Sequence, residues 1–268
     1  MIKKEGLMKK LIAAILIILL LFPLFYFGGY PIGQTLSFEK HSAQVIAHRG
    51  LSGLEIENTE SAFIAAAERS YYAIEADVKR TGDGKFIICH DANLKDLAGQ
   101  DINVEEATLK ELLEITLSSP FKNKTDKLCE LETYISICKA YGKRAFLELK
   151  SAFTEAEIDA IIEIIDSYEY LENVTFLSDK YKSLRYIRQS QPEQSVQYVA
   201  SELNEEIIKQ LINDKMDVAV FFVALRKDTI DAFHAAGLKV NCWTIDNKYF
   251  AEHLASIGVD YITTNILE

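Results

Sequence analysis

The stretch Tyr72-Ala-Ile-Glu-Ala-Asp-Val-Lys-Arg-Thr-Gly-Asp-Gly-Lys-Phe-Ile-Ile-Cys-His90 decides the fold. Its two ends, Tyr72–Val78 and Lys85–His90, are apolar or β-branched and read as strands. The link between them is too short for a helical crossover, and Asp83-Gly84 within it is a hairpin turn signal. The second run is therefore the antiparallel return arm of a hairpin. Working outward, further strand-like runs lie at Gln44–His48, Arg144–Leu149, Val174–Leu177, Val196–Ala200, Val218–Val223, Lys239–Thr244 and Tyr261–Thr264. With Tyr72–Val78 these make eight. Helix-like segments separate most of them, among them Thr59–Arg69, Thr108–Ile115, Leu131–Tyr141, Glu155–Tyr168 and Lys248–Ser256. Thr154 and Asn204 stand where N-caps are expected. Such alternation builds a parallel sheet covered by helices, and eight repeats over residues 44–268 predict an α/β fold, a (β/α)8 TIM-type barrel with one extra hairpin after its second strand. The competing open, doubly wound sheet calls for a glycine-rich loop after its first strand, and none follows Gln44–His48.

Residues 1–32 differ from the rest. Lys3, Lys4, Lys9 and Lys10 precede an apolar run from Leu11 to Phe27, which Gly28, Gly29 and Pro31 end. As a helix it would span about 25 Å at roughly 1.5 Å per residue, a little short of a hydrocarbon core of ~30 Å. Lysines before the run predict a cytoplasmic start and an extracytoplasmic remainder. The bulky end, Leu-Phe-Tyr-Phe-Gly-Gly-Tyr30, fits a retained transmembrane signal anchor better than a cleaved signal peptide. Residues 33–43 read as a short linker and 44–268 as the barrel domain.

Without residues 1–32 the chain keeps 25 basic and 39 acidic residues, a formal charge of −14. An acidic domain of this kind repels nucleic acid, which is excluded as a partner, and anionic lipid surfaces. If its substrate is a phosphate ester, a bound cation must offset charge locally. The four cysteines, Cys89, Cys129, Cys138 and Cys242, follow no zinc spacing. Cys89 and Cys242 sit within apolar runs and read as small core residues.

Barrel enzymes carry their chemistry at the C-terminal ends of the strands. His48 and Arg49 end the first strand, Glu75 and Asp77 lie on the second, Glu148 and Lys150 end the strand after the hairpin, and Trp243 ends a late one. Glu75 and Asp77 are two apart and share a face. A symmetric hairpin about Asp83-Gly84 puts His90 opposite Asp77. A lone histidine or carboxylate at a strand end is ordinarily structural; the convergence of all of them is what points to a site. Two carboxylates aimed into a barrel repel each other, and a hard divalent cation with oxygen ligands, Mg²⁺ or Ca²⁺, removes the conflict, with Glu148 as a third donor. His48 and His90 are then free for proton transfer.

The ordered set His48-Arg49-Gly50, Glu57-Asn58-Thr59, Glu75-x-Asp77, Thr81-x-Asp83-Gly84, His90-Asp91, Glu148-Leu149-Lys150, Phe176-x-Ser178, Trp243-Thr244 and Gly258-Val259-Asp260 resembles the glycerophosphodiester phosphodiesterase family. The resemblance runs from about Val45 to about Thr264. It implies a barrel that hydrolyses glycerophosphodiesters to glycerol phosphate and an alcohol. It also implies a cation held by Glu75, Asp77 and Glu148, with His48 and His90 as general acid and base in an order left open. Arg49 and Lys150 would contact phosphate. In the family the neighbouring glycerol hydroxyl is thought to attack first, giving a cyclic phosphate that water then opens. Lysophospholipids or glycerophosphate polymers of a cell envelope are alternative substrates, and a non-catalytic binding module is a further reading. There are two departures from the family pattern: Ile56 replaces a frequent proline, and Thr264-Asn265-Ile266-Leu267 stands where Thr-Asp-x-Pro is frequent. Both lie outside the expected ligand set.

The N-terminal run predicts that full-length protein, fractionated from cells, sediments with membranes and exposes its domain to protease added outside. Recovery of full-length chain in the soluble cytosol would contradict the anchor.

Overall fold

The computed structural model describes residues 33–119 and 121–268. The strands are β1 (Gln44–Ala47), β2 (Ala73–Arg80), β3 (Phe86–Ile88), β4 (Thr116–Ser119), β5 (Lys124–Lys127), β6 (Cys129–Glu130), β7 (Arg144–Leu149), β8 (Val174–Ser178), β9 (Ser195–Ala200), β10 (Asp217–Phe221), β11 (Val240–Trp243) and β12 (Tyr261–Thr264). Parallel pairing runs β1-β2-β7-β8-β9-β10-β11-β12 and returns to β1, which closes eight strands into a barrel. The open-sheet alternative is excluded by the β1–β12 and β1–β2 ladders.

Period-two alternation sorts the side chains. From β2, Ile74, Ala76 and Val78 point outward into the layer shared with the helices, and from β7 so do Ala145, Leu147 and Leu149. The residues between them point inward. Ile46, Ala73, Phe146, Leu177, Ala219 and Tyr261 fill the barrel below the site. The helices lie close to where the sequence places them. Leu131–Tyr141 and Lys248–Ser256 match to the residue, and Thr59, Thr108, Thr154 and Asn204 each cap the helix that follows with the side-chain oxygen. All four cysteines are buried and unpaired to one another, as small core residues.

Two features depart from expectation. The hairpin register is one residue off the symmetric one: β2 and β3 pair Val78 with Ile88 and Arg80 with Phe86, so Cys89, whose N–H donates to the Asp77 carbonyl, stands across from Asp77 instead of His90. The cause is the turn. Thr81 bonds Lys85 in both directions, leaving Gly82, Asp83 and Gly84 as a three-residue loop with Gly84 left-handed at φ 74°. A three-residue loop of this kind shifts the pairing by one relative to a two-residue turn. The second departure is residues 91–130. They form a small annex with the β4–β5 hairpin and a hydrophobic cluster of its own, including Ile87, Cys89, Leu94, Val104, Leu112 and Leu117. Ile56, the residue found where proline is frequent, is buried in that cluster and ties the loop after β1 to the annex.

Residues 33–43 pack on the barrel: Leu36 bridges Leu267, and the Thr35 hydroxyl donates to Glu268. The expected transmembrane helix falls on residues 1–32, outside the described residues. Among the described residues no helix is long and apolar enough to cross a membrane.

Leu94 is fully buried in the annex cluster. Leu94→Ala is expected to lower stability by about 2–5 kcal/mol in thermal or urea unfolding, in one cooperative transition. An unchanged melting temperature would mean that the annex is not part of the cooperative unit.

Candidate active site

The β2–β7 register places Asp77 beside Glu148, both facing inward, with Glu75 two residues before on the same face. Carboxylate oxygens of all three lie within 4.8 Å of one another. Glu75 and Asp77 are buried and Glu148 nearly so. Each is held by a different partner. Glu75 Oε2 accepts the Arg49 backbone N–H at 2.7 Å, which requires the left-handed turn at Arg49, φ 54°. Asp77 Oδ2 accepts the Asn58 amide at 2.9 Å, while the Asn58 side-chain oxygen accepts the Asp77 N–H at 3.2 Å. Glu148 Oε1 accepts from Lys150 Nζ at 3.0 Å. In the sequence Asn58 is only the middle of Glu57-Asn58-Thr59; its clamp on Asp77 comes from a left-handed residue just before the cap Thr59, which local pattern does not reveal.

Electrostatics follow from that crowding. Burial, then Asp77 and Glu148, push Glu75 well above the ordinary carboxylate range. Burial and Asp77 raise Glu148 to about 7. Burial also pushes Asp77 up, but Arg49, His90 and Lys150 outweigh it and hold this carboxylate below its ordinary value. Arg49 Nη1 donates to Glu57 at 2.7 Å, and its buried Nε lies 3.4 Å from Asp77 without hydrogen-bond geometry. Three acids share a buried space with too few protein donors, and the oxygen-only set fits a hard divalent cation.

The two histidines border the same cavity, together with Arg49, Glu75, Glu148 and Lys150. Period-two alternation from Ile46 turns His48 inward. His90 arrives by a bend just past the end of β3, so the off-by-one register does not remove it from the site. Burial, then the Arg49 charge, lower His48 to about 4, so it is neutral at pH 7. Its tautomer is fixed from outside the cavity. The Asn265 amide nitrogen donates to Asp246 at 2.6 Å, which turns its oxygen toward Ser52 and toward His48 Nδ1 at 2.8 Å. Nδ1 must carry the proton, and Nε2 keeps its lone pair. Asn265, one of the two departures noted above, thus acts directly on a proposed catalytic residue; the sequence could not show this, because the strand-end residues meet only when β12 closes on β1. His90 Nδ1 donates to Asp91 at 2.8 Å. Trp243 lines the cavity wall with its Nε1–H bonded to the Ala219 carbonyl at 3.0 Å. His48, Arg49, Glu75, His90, Glu148, Lys150 and Trp243 thus line one cavity, with Asp77 beside Glu75 and Glu148.

A closed parallel barrel with its ionisable groups gathered at the C-terminal ends of the strands is the framework of a barrel enzyme. The profile of the glycerophosphoryl diester phosphodiesterase family matches residues 48–268, and the chain belongs to that family. It is a phosphoric diester hydrolase by that membership. A glycerophosphodiester phosphodiesterase of Caldanaerobacter subterraneus is 27% identical over 227 residues, which cover 82% of this chain and 93% of the relative. A phosphodiesterase of Oleispira antarctica, solved in complex with the product sn-glycerol-3-phosphate, superposes with a TM-score of 0.76 at 26% identity, covering 85% of this chain and 95% of that one. A mouse lysophospholipase D is 29% identical over 182 residues, covering 66% of this chain and 50% of its own length.

The buried acid cluster makes stability depend on pH. Glu148, raised from 4.5 to about 7, contributes stability that is fully present below pH 4.5 and lost as pH rises through 7. In chelator-treated protein, Glu148→Gln is expected to melt higher than the parent above pH 7, with the gap closing toward pH 4.5. A gap that does not change with pH would contradict a buried, repelled carboxylate.

Proposed function

We propose that the chain hydrolyses glycerophosphodiesters to glycerol phosphate and an alcohol with a divalent cation, Mg²⁺ or Ca²⁺, and with His48 as general base and His90 as general acid. The observation that carries the reading is the convergence of a three-carboxylate cluster and two imidazoles, each with its Nδ1 occupied by a protein acceptor, on one cavity. Glu75, Asp77 and Glu148 would hold the cation, which when bound supplies Lewis-acid stabilisation of charge on the phosphoryl group. Arg49 and Lys150 add positive charge beside the same cavity and bind the phosphate oxygens. Neutral His48 takes a proton at Nε2 from the neighbouring glycerol hydroxyl, which attacks phosphorus to give a cyclic phosphate that water later opens to glycerol phosphate. His90, oriented by Asp91 at its Nδ1, gives a proton from Nε2 to the leaving alcohol. Trp243 packs against the organic part of the substrate. The glycerophosphate end of the substrate is supported by the product held in the Oleispira antarctica relative.

A second reading keeps this chemistry and enlarges the leaving group to that of a lysophospholipid. The lysophospholipase D relative favours it, as does the apolar run at Leu11–Phe27 if it acts as the expected membrane anchor.

The test is release of glycerol phosphate from glycerophosphocholine, measured with added Mg²⁺ or Ca²⁺. His48→Ala and His90→Ala should each lower kcat by roughly 10²–10⁴-fold while the melting temperature stays near that of the parent. Loss of melting temperature with preserved turnover would assign the histidines a structural role instead.

A further inference from the structure

We propose that the mouth of the barrel docks on a phospholipid bilayer through Phe121, Val223 and Tyr249, so that single-chain phosphodiester lipids enter the cavity from the membrane. The inference rests on the phosphodiesterase reading above and names the source of its substrate. Four large apolar side chains are exposed among the described residues: Phe121 at 103%, Val223 at 72%, Tyr249 at 71% and Tyr141 at 44%. The first three come from three separate elements and share one end of the barrel. Val223 lies in the short 3₁₀ turn Phe222–Ala224 directly after β10. Tyr249 lies in the first turn of the helix that follows β11. Phe121 is at the tip of the β4–β5 hairpin, beside the loop that follows β1. Tyr141 alone is at the opposite end, where its helix runs into β7.

Exposure of Phe121 is not the consequence of a loose loop. The neighbouring Lys122 Nζ donates to the carbonyls of Ser52 at 2.5 Å and Glu55 at 2.6 Å, so the tip is tied to the barrel while the ring is turned to solvent. Exposed apolar groups from three elements on one face mark a surface that meets an apolar phase. Aromatic rings beside cations suit a membrane interface, and Lys248 Nζ lies 5.0 Å from the Tyr249 ring centre. An aromatic track leads inward from this rim. Phe250, beside Tyr249, contacts Phe222 at 5.4 Å between ring centres, Phe222 contacts Phe221 at 4.6 Å, and Phe221 contacts Trp243 of the cavity wall at 5.4 Å. An acyl chain has an apolar path between bilayer and phosphate site.

The bilayer is chosen over a second copy of the chain because of where the described residues begin. Gly33 borders the same groove as Phe121 and Asn265, at the mouth. Only six peptide steps separate Gly33 from Phe27, where the apolar run ends, a reach of at most about 21 Å. A run anchored in a membrane therefore keeps the mouth, not the opposite end, close to the lipid. The acidic domain repels anionic headgroups, so the contact is apolar and suits zwitterionic lipid.

The experiment uses full-length protein reconstituted in phosphatidylcholine vesicles. Phe121→Cys and Tyr141→Cys variants are each labelled with bimane; the native cysteines are buried. Brominated acyl chains should quench the label at 121 and leave that at 141 unchanged. No quenching at 121, or quenching at 141, overturns the proposal; a blue shift at 121 without quenching assigns the face to a second copy and overturns it as well. In parallel, the triple variant Phe121→Ser, Val223→Ser, Tyr249→Ser should turn over vesicle-bound lysophosphatidylcholine at least ~10-fold more slowly than the parent, with glycerophosphocholine turnover unchanged. Equal loss on both substrates contradicts docking. Absence of glycerophosphocholine turnover in the parent contradicts the phosphodiesterase reading instead, and the quenching result still decides the orientation.

Discussion

The repulsion among Glu75, Asp77 and Glu148 is the constraint on which the rest of the site depends. Three carboxylates whose oxygens fall within 4.8 Å of one another, inside a barrel, are unstable as three charges. The protein supplies partial answers: a backbone N–H from a strained turn at Arg49, an amide clamp from Asn58, and an ammonium from Lys150. These hold the oxygens in place without neutralising them. Glu148 remains raised to about 7 and Glu75 well above its ordinary range, a repulsion that an additional positive charge would relieve. Substitutions that relieve the repulsion should stabilise the metal-free protein while removing its function, the usual opposition between stability and a charged site.

From this cluster the placement of the other groups follows. Arg49 turns left-handed to give its N–H to Glu75, and in doing so leaves His48 at the end of β1, pointing into the cavity. The closing contact between β12 and β1 then brings Asn265 behind His48, and Asp246 behind Asn265. A neutral amide fixed by a carboxylate gives His48 one tautomer without giving it a charge. Asp91 stands behind His90 as a carboxylate. The two imidazoles therefore differ in what supports them, an amide behind His48 and a carboxylate behind His90.

Much of this was legible in the sequence because strands alternate. Once Glu75-x-Asp77 is placed on β2 and Glu148 on its neighbour β7, period two and parallel register bring the three together without further information. Helix ends were legible where a capping hydroxyl or amide announces them, at Thr154 and Asn204. The hairpin register was not, because Asp83-Gly84 reads equally as a two-residue turn or as the end of the three-residue loop it forms with Gly82. Nor was the annex: its cluster joins short, non-periodic pieces such as Leu94, Val104 and Leu117 that find one another only in three dimensions. Asn265 and Asn58 act across long sequence separations, and neither is distinguished by its local pattern.

The account stands on the cation. Its most direct test is calorimetric titration of Mg²⁺ and of Ca²⁺ into full-length protein and into the Glu75→Gln variant, which keeps the shape of the side chain and removes one charge. The expected result is saturable binding of a single ion by the parent and a steep loss of affinity in the variant, at an undiminished melting temperature. Equal affinity in the two proteins would contradict the assignment of the acid cluster as the metal site.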